Sequence, residues 1–200
     1  MVTTFVKESI LERDTESGKY RLSPVMLELG LIAETADPMI QISRAEIDNL
    51  HLATGCRASL YIREETEAVC LYAAGDEIVS SGQRVDIPFL VSGWTMLAYL
   101  DEDAGLFLKI YWPELFASSK GRELMKRIKQ IEREGVAFGI EPFVQDEFSI
   151  ACPIFDLQGK ALGTVTLTTG ISNSHVCQSF ISILSKTAQQ ISRELSECVS

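Results

Sequence analysis

The chain has 200 residues, of which 46% are hydrophobic and 23% are charged. This length and composition are typical of a globular protein with one large domain or two small ones and an adequate core. The formal net charge of −10 argues against general nucleic-acid affinity, because phosphate binding needs a positive surface.

The first residues predict a hairpin and a domain boundary. Two short β-prone pieces within Phe5–Leu22 flank the polar turn Asp14–Gly18, and this hairpin has little core of its own. We therefore expect a boundary near Leu22–Pro24, which separates residues 1–22 from a main domain of residues 23–200.

Two helices are predicted next. Ser23-Pro24 begins the first, because serine is a good N-cap and proline suits the first helical position. We expect this helix at Pro24–Glu34, with its apolar residues on one packed face. Asp37-Pro38 repeats the start signal, and the second helix runs to a stop at Gly55.

Strand-like runs and two further helices follow. We predict strands at Ala58–Arg63 and Ala68–Ala73 and a third near Ile78–Ile87. A largely apolar helix is expected at Phe89–Leu100, entered through Ser92-Gly93. Glu123–Glu134 is amphipathic, with apolar residues at helical spacing.

The stretch Asp146–Gly170 predicts two strands around the turn Asp156–Lys160. Its second strand alternates, because successive side chains of a strand point to opposite faces. The apolar members are Val165 and Leu167, and the polar members are Thr164, Thr166 and Thr168. Such a threonine row is either ordinary edge-strand chemistry or the lining of a polar pocket.

A terminal helix with an apolar stripe is predicted from near Ser174 onward. Antiparallel strands with segregated helices make the expected fold α+β, with a central antiparallel sheet flanked by helices.

Four segments carry a resemblance to a known family: YRLSPVMLELG (Tyr20–Gly30), the stretch Pro88–Leu100, EREGVAF (Glu132–Phe138) and SIACPIFDLQGKALG (Ser149–Gly163). With them, nearly the whole chain resembles the effector-binding domain of IclR-type transcriptional regulators, which has a GAF/PAS-like fold. The resemblance implies a small-molecule effector, self-association into dimers or tetramers, and no catalysis.

The N-terminal segment resembles the wing hairpin that closes this family's winged helix-turn-helix. We interpret residues 1–22 as a remnant of that hairpin, and Pro24–Glu34 as the linker helix. Because the recognition helix that enters the major groove is absent from the 200 residues, we expect DNA binding only through a helix-turn-helix outside this chain.

The resemblance also implies the effector site. Carried over to this sequence, its residues are Ser92, Gly93, Trp94, Ser149, Thr166 and Thr168. Free N–H groups at a helix start favour a carboxylate, and neutral hydroxyls orient it. We therefore expect a small organic effector that bears a carboxylate. Trp94 stands where the family has a small residue, and it either stacks on the ligand or fills the cavity.

Two other functions remain as alternatives. A dimerisation module would have its pocket plugged by Trp94. A thiol enzyme on the same fold would need an exposed cysteine of low pKa, and Cys56, Cys70 and Cys152 are its candidates.

Neither the cysteines nor the histidines form a pattern that indicates a metal site or a disulfide scaffold. The five cysteines are scattered without a CxxC pair, and there are two histidines. We expect no cofactor and no metal. Because there is neither a signal-peptide segment nor an apolar run near the roughly 18–20 residues that span a bilayer, we expect no membrane partner and a cytoplasmic location.

Overall fold

A computed structural model describes residues 2–75, 80–142 and 144–198. Its contacts divide the chain into two compact units, one that ends at Gln41 and one that begins at Ile42. This division lies later in the chain than the predicted boundary at Leu22–Pro24. The interpretation of residues 1–22 as a wing remnant stays a prediction.

The first unit contains a short helix, a hairpin and a longer helix. Their bounds are α1 Val2–Lys7, β1 Leu11–Arg13, β2 Tyr20–Leu22 and α2 Pro24–Ala36. The strands pair antiparallel, and the Asp14 carboxylate accepts a hydrogen bond from the Ser17 N–H at 2.6 Å in the turn between them.

Two expectations for this unit were wrong. The segment from Phe5 to Lys7 belongs to α1, where the Glu8 N–H donates to the Thr4 carbonyl at 2.9 Å in a helical i→i−4 bond. The described residues of α2 include no buried side chain, and Leu27 is 68% exposed. The apolar face predicted for this helix is therefore solvent-exposed in the single chain.

The second unit is built on a six-stranded antiparallel sheet, with strand order β5-β4-β3-β8-β7-β6. The bounds of the strands are β3 Arg57–Glu64, β4 Glu67–Ala74, β5 Arg84–Asp86, β6 Ala137–Ile140, β7 Glu147–Phe155 and β8 Ala161–Gly170. The third predicted strand corresponds to β5, and residues 78 and 79 of that prediction lie outside the described residues.

The remaining helices have these bounds: α3 Pro38–Thr54, α4 Val91–Ala98, α5 Ala104–Tyr111, α6 Pro113–Ala117, α7 Ser119–Glu134, α8 Ser174–Ser179 and α9 Ile181–Cys198. The elements α5, α6 and β6 were not predicted from the sequence. One terminal helix was predicted, whereas the chain forms α8 and α9 on either side of Phe180.

Helices cover both faces of the sheet. On one face, α4 packs against β6, β7 and β8, and α7 packs against α4. On the other face, α9 packs against β7 and β8, and Ser192 of α9 accepts a hydrogen bond from the Phe155 N–H at 3.0 Å. The predicted α+β class, with a central antiparallel sheet flanked by helices, is confirmed.

Strand β8 lies in the middle of the sheet, between β3 and β7. The interpretation of its threonine row as edge-strand chemistry is therefore wrong. Val165 and Leu167 are fully buried, and Thr164, Thr166 and Thr168 are at most 6% exposed. Both faces of this strand consequently point into the interior.

Across the described ranges, no helix is long and apolar enough to cross a membrane.

Candidate functional site

One face of the sheet carries a buried layer of polar side chains. Side chains that lie opposite each other on antiparallel strands share a face, and the register pairs Ser59 with Thr166 and Ser149 with Thr168. Thr164 lies two residues before Thr166 on β8, and therefore on the same face. Three neighbouring strands thus contribute hydroxyl groups to a single surface.

Helix α4 covers this layer. Ala151, the cross-strand partner of Thr166, belongs to the same buried cluster as Val91 and Leu97 of α4. Thr95 of α4 and Thr164 of β8 line one small cavity of about 30 Å³, which is room for about one water molecule. The hydroxyl groups are therefore enclosed between the sheet and the helix.

Several of these buried hydroxyls have no hydrogen-bond partner within the part of the chain that the structure describes. They are Ser59, Ser92, Thr95, Thr164 and Thr166. Each of the five is at most 2% exposed. A buried donor or acceptor left unsatisfied costs about 1–3 kcal/mol, so this layer holds unused hydrogen-bonding capacity that a bound polar molecule would satisfy.

Ser149 and Thr168 satisfy each other. Their hydroxyl oxygens are 2.7 Å apart, and Ser149 also donates toward the Glu141 carboxyl group. These two predicted site residues thus connect the hydroxyl layer to a buried acid.

Glu141 lies beyond the end of β6 and is 5% exposed. Its Oε2 atom accepts the Val91 N–H at 3.1 Å, at the N-terminus of α4. Burial is the main influence on this carboxyl group and raises its pKa to about 7, while the hydrogen bonds from Ser149 and Val91 oppose the rise. The charge of Glu147 raises the pKa further and that of Arg57 lowers it.

An ion pair closes the end of the layer beside Thr168. Arg57, the cross-strand partner of Thr168, binds Glu147 through two parallel hydrogen bonds of 2.9 and 2.6 Å. The two side chains are only 5% and 11% exposed. Such bidentate geometry fixes the position of both groups.

Gly93 and Trp94 determine how α4 packs. A Cβ atom on Gly93 would lie 2.1 Å from the Ile87 carbonyl oxygen, so only glycine permits this close approach. Trp94 is 7% exposed, and its Nε1 atom donates to the Pro88 carbonyl at 3.0 Å. Its ring lies against Gly139, where a Cβ atom would approach it to 2.9 Å.

A groove of about 550 Å³ borders Trp94 on the outer side. Its lining includes Phe89, Leu124, Arg127 and Pro142. The Arg127 guanidinium lies 5.1 Å from the centroid of the Trp94 ring system, a distance at which a cation is attracted to an aromatic face. Trp94 therefore forms a wall between this groove and the buried core.

The structure brings three of the predicted site residues, Ser149, Thr166 and Thr168, to one face of the sheet, and Ser92 is buried on α4, which covers that face. The other two have packing contacts, Gly93 with Ile87 and Trp94 with Gly139. The role of all six in binding an effector stays a prediction.

The charged residues of this region were not predicted as site residues from the sequence. Arg57 and Glu147 are 90 residues apart in the chain, so no local pattern relates them. Glu141 offered a weak signal, an acidic residue between two strands, but the sequence does not show its bond to α4. Cross-strand registers and helix docking are needed to find all three.

The cysteines proposed for a thiol enzyme are all buried. Burial raises the pKa of Cys70 to about 12 and that of Cys152 to about 11. A hydrogen bond from Cys177 is the main cause that lowers the pKa of Cys56 to about 6. Where the structure is described, no group of three or more histidine, cysteine or acidic side chains could hold a metal ion.

Glu141 predicts a pH dependence of stability. The folded carboxyl group, with its pKa raised from 4.5 to about 7, keeps its proton where the unfolded chain has lost it. The free energy of unfolding should therefore fall by about 3 kcal/mol as pH rises through this window. Urea denaturation between pH 4.5 and 8 should show a steeper loss in wild type than in Glu141→Gln, and parallel curves would contradict the assignment.

The sheet order, the helices on both faces and the enclosed polar layer define an α+β domain of the GAF-like class. A family model described as bacterial transcriptional regulator IclR C-terminal matches residues 33–193. The chain therefore belongs to the IclR family of bacterial transcriptional regulators and includes its effector-binding domain.

Two curated relatives are regulators from Escherichia coli K12. The HTH-type transcriptional regulator XynR is 22% identical, with 84% of this chain and 71% of the relative covered. The DNA-binding transcriptional repressor YiaJ is 23% identical, with 90% of this chain and 68% of the relative covered.

Solved structures of the family share the fold. An IclR regulator from Alicyclobacillus acidocaldarius has a TM-score of 0.81 at 22% identity, over 96% of this chain and 82% of that one. An IclR homologue from Microbacterium hydrocarbonoxydans, in complex with 4-hydroxybenzoate, has a TM-score of 0.81 at 20% identity, over 98% of this chain and 83% of that one.

Proposed function

We propose that this chain is a ligand sensor without catalytic activity, which binds a small organic effector in the hydroxyl layer under α4. The observation that carries the proposal is the set of buried hydroxyls without partners among the described residues, on the sheet and on α4. The complex of the M. hydrocarbonoxydans homologue with 4-hydroxybenzoate supports a small organic molecule as the kind of ligand.

The hydroxyl layer is tightly covered by α4, which supports the proposal that effector binding changes the conformation of the domain. A cavity of about 30 Å³ at Thr95 and Thr164 holds about one water molecule. An effector of several carbon atoms therefore requires α4 to move away from the sheet. Because a ligand favours the conformation that it binds better, it shifts the equilibrium between the two forms.

We propose that this shift alters self-association, and through it the DNA binding of the regulator. The coupling free energy between an effector site and a second binding site is usually about 1–3 kcal/mol. The linker helix α2 is a candidate for transmission, because it exposes an apolar face that includes Leu27 and Ile32.

A thermal-shift screen of small metabolites should detect the effector. A ligand at about 100 times its dissociation constant adds about 2.7 kcal/mol, and each kcal/mol raises the melting temperature of a domain this size by about 2–4 °C. The double variant Thr166→Val, Thr168→Val should lose the response, because both hydroxyls lie in the layer.

Thr169→Val is the matched control, because Thr169 lies on the same strand and on the opposite face. It should keep the response of wild type. A ligand that binds the double variant as tightly as wild type would place the site elsewhere.

The packing of Trp94 favours a second candidate function, a dimerisation module with a plugged pocket. The ring is buried and contacts Gly139 closely. In that case the screen should be silent for wild type and for Trp94→Ala alike, while sedimentation velocity should still show a dimer.

A further inference from the structure

The charged groups of the hydroxyl layer carry an inference about the effector itself, which rests on the proposed function. The positive charge of Arg57 is already matched by Glu147 through two hydrogen bonds in a largely buried pair. The pair therefore contributes about zero net charge to the layer. Releasing Arg57 to a ligand would leave the Glu147 carboxylate buried without its partner, which is costly.

The helix terminus that would favour an anion is also in use. The Val91 N–H at the start of α4 donates to the Glu141 carboxyl group at 3.1 Å. Glu141 thus occupies the position that a carboxylate ligand would take at this helix end. Above the pKa of about 7, Glu141 is negatively charged, and a second anion placed there would meet a like charge in a region of low dielectric, where repulsion is strong.

The unused capacity of the layer consists of neutral groups that donate and accept. Ser59, Thr164 and Thr166 lie on the sheet, and Ser92 and Thr95 lie on α4. Each hydroxyl has one proton to donate and lone pairs to accept. A carboxylate only accepts, so it would leave the acceptor sites of these hydroxyls unsatisfied. A ligand with several hydroxyl groups satisfies both needs.

The positions of these hydroxyls suit a ligand that bears polar groups on two sides. Ser92 and Thr95 are three residues apart on α4, about 5–6 Å between their Cβ atoms. Ser59 and Thr166 lie opposite each other on the sheet, about 4.5–5.5 Å apart. Thr95 of α4 and Thr164 of β8 line the same small cavity, which joins the hydroxyls of the helix to those of the sheet.

We infer that the effector is a neutral, hydroxyl-rich small molecule, a sugar or a polyol, which the hydroxyl layer and Glu141 bind together. Glu141 accepts a hydrogen bond from a ligand hydroxyl, and the serines and threonines bind the others. The carboxylate expected from sequence analysis depended on the N-terminus of α4, which Glu141 occupies in this structure.

Matched pairs of compounds test the inference. The full chain is titrated by calorimetry with five- and six-carbon aldoses and alditols, and with the aldonic acids of the same stereochemistry. Short keto acids and hydroxybenzoates complete the set. We expect at least one neutral compound to bind about tenfold more tightly than its matched acid.

Glu141→Gln separates charge from shape, because the amide oxygen still accepts the Val91 N–H. In this variant the acid should gain about tenfold in affinity, equivalent to about 1.4 kcal/mol, while the neutral compound should lose affinity, because an amide oxygen is a weaker acceptor for its hydroxyl group than a carboxylate. A titration of wild type at pH 6 and pH 8 checks the same charge without a substitution. The titratable and charged groups that face Glu141 are Arg57 and Tyr61 of β3, Glu147 of β7 and the N-terminus of α4.

The two possible failures are distinguishable. If only acids bind, and the double variant Thr166→Val, Thr168→Val abolishes their binding, the proposed sensor function is supported and the inference of a neutral effector is wrong. If no compound of either set binds to wild type or to Glu141→Gln, both the inference and the proposed function are wrong.

Discussion

Replacement of Glu147 by leucine should lower the free energy of unfolding by about 3–5 kcal/mol. The Arg57 side chain, only 5% exposed, would then be buried without the carboxylate that accepts hydrogen bonds from its two terminal nitrogens. At about 2–4 °C per kcal/mol, the melting temperature should fall by about 6–20 °C. Differential scanning calorimetry measures both quantities.

Two further variants show whether the loss comes from the unpaired charge. The double variant Arg57→Met, Glu147→Leu should recover most of the stability, because apolar side chains of similar volume often replace a buried ion pair without loss. Glu67→Leu is the matched surface control, since Glu67 is also on a strand and binds Arg84 at 3.1 Å. That exposed pair is worth about 0–1 kcal/mol, and equal losses at Glu67 and Glu147 would contradict this account.

Replacement of Trp94 by alanine should cost about 3–5 kcal/mol, because a large buried aromatic leaves a cavity that its surroundings fill only in part. The variant loses the hydrogen bond to Pro88 and the contacts of the ring with Gly139 and Arg127. Trp94→Phe keeps most of the ring volume and should lose far less. Urea denaturation, followed by far-ultraviolet circular dichroism, measures both variants.

A double-mutant cycle with Gly139 isolates the contact itself. In wild type, Gly139→Ala places a Cβ atom 2.9 Å from the Trp94 ring, and this should destabilise the domain. In the Trp94→Ala background the same methyl group enters vacated space. The two changes should therefore be non-additive by about 0.5–3 kcal/mol, and strict additivity would show that the ring does not rest on Gly139.

Local patterns predicted most of the helices and strands of the second unit. Proline at a first helical position marks α3, and alternation marks β8, because these signals depend on residues only a few positions apart. The short elements α5, α6 and β6 were missed, although α6 also begins with a proline, Pro113. Asp103 does cap α5 through the Leu106 N–H at 2.7 Å, and this cap was the signal available in the sequence.

Within the candidate site, the sequence itself determined which side chains alternate to one face of β8 and where polar residues fall near the start of α4. That follows from backbone geometry, which repeats every two residues in a strand and every 3.6 in a helix. Only the tertiary structure decided that β8 is central, that Arg57 meets Glu147 across 90 residues, and that Glu141 occupies the N-terminus of α4. These contacts depend on strand register and on helix docking. Both are selected by the burial of the two sheet faces, and no local sequence pattern encodes them.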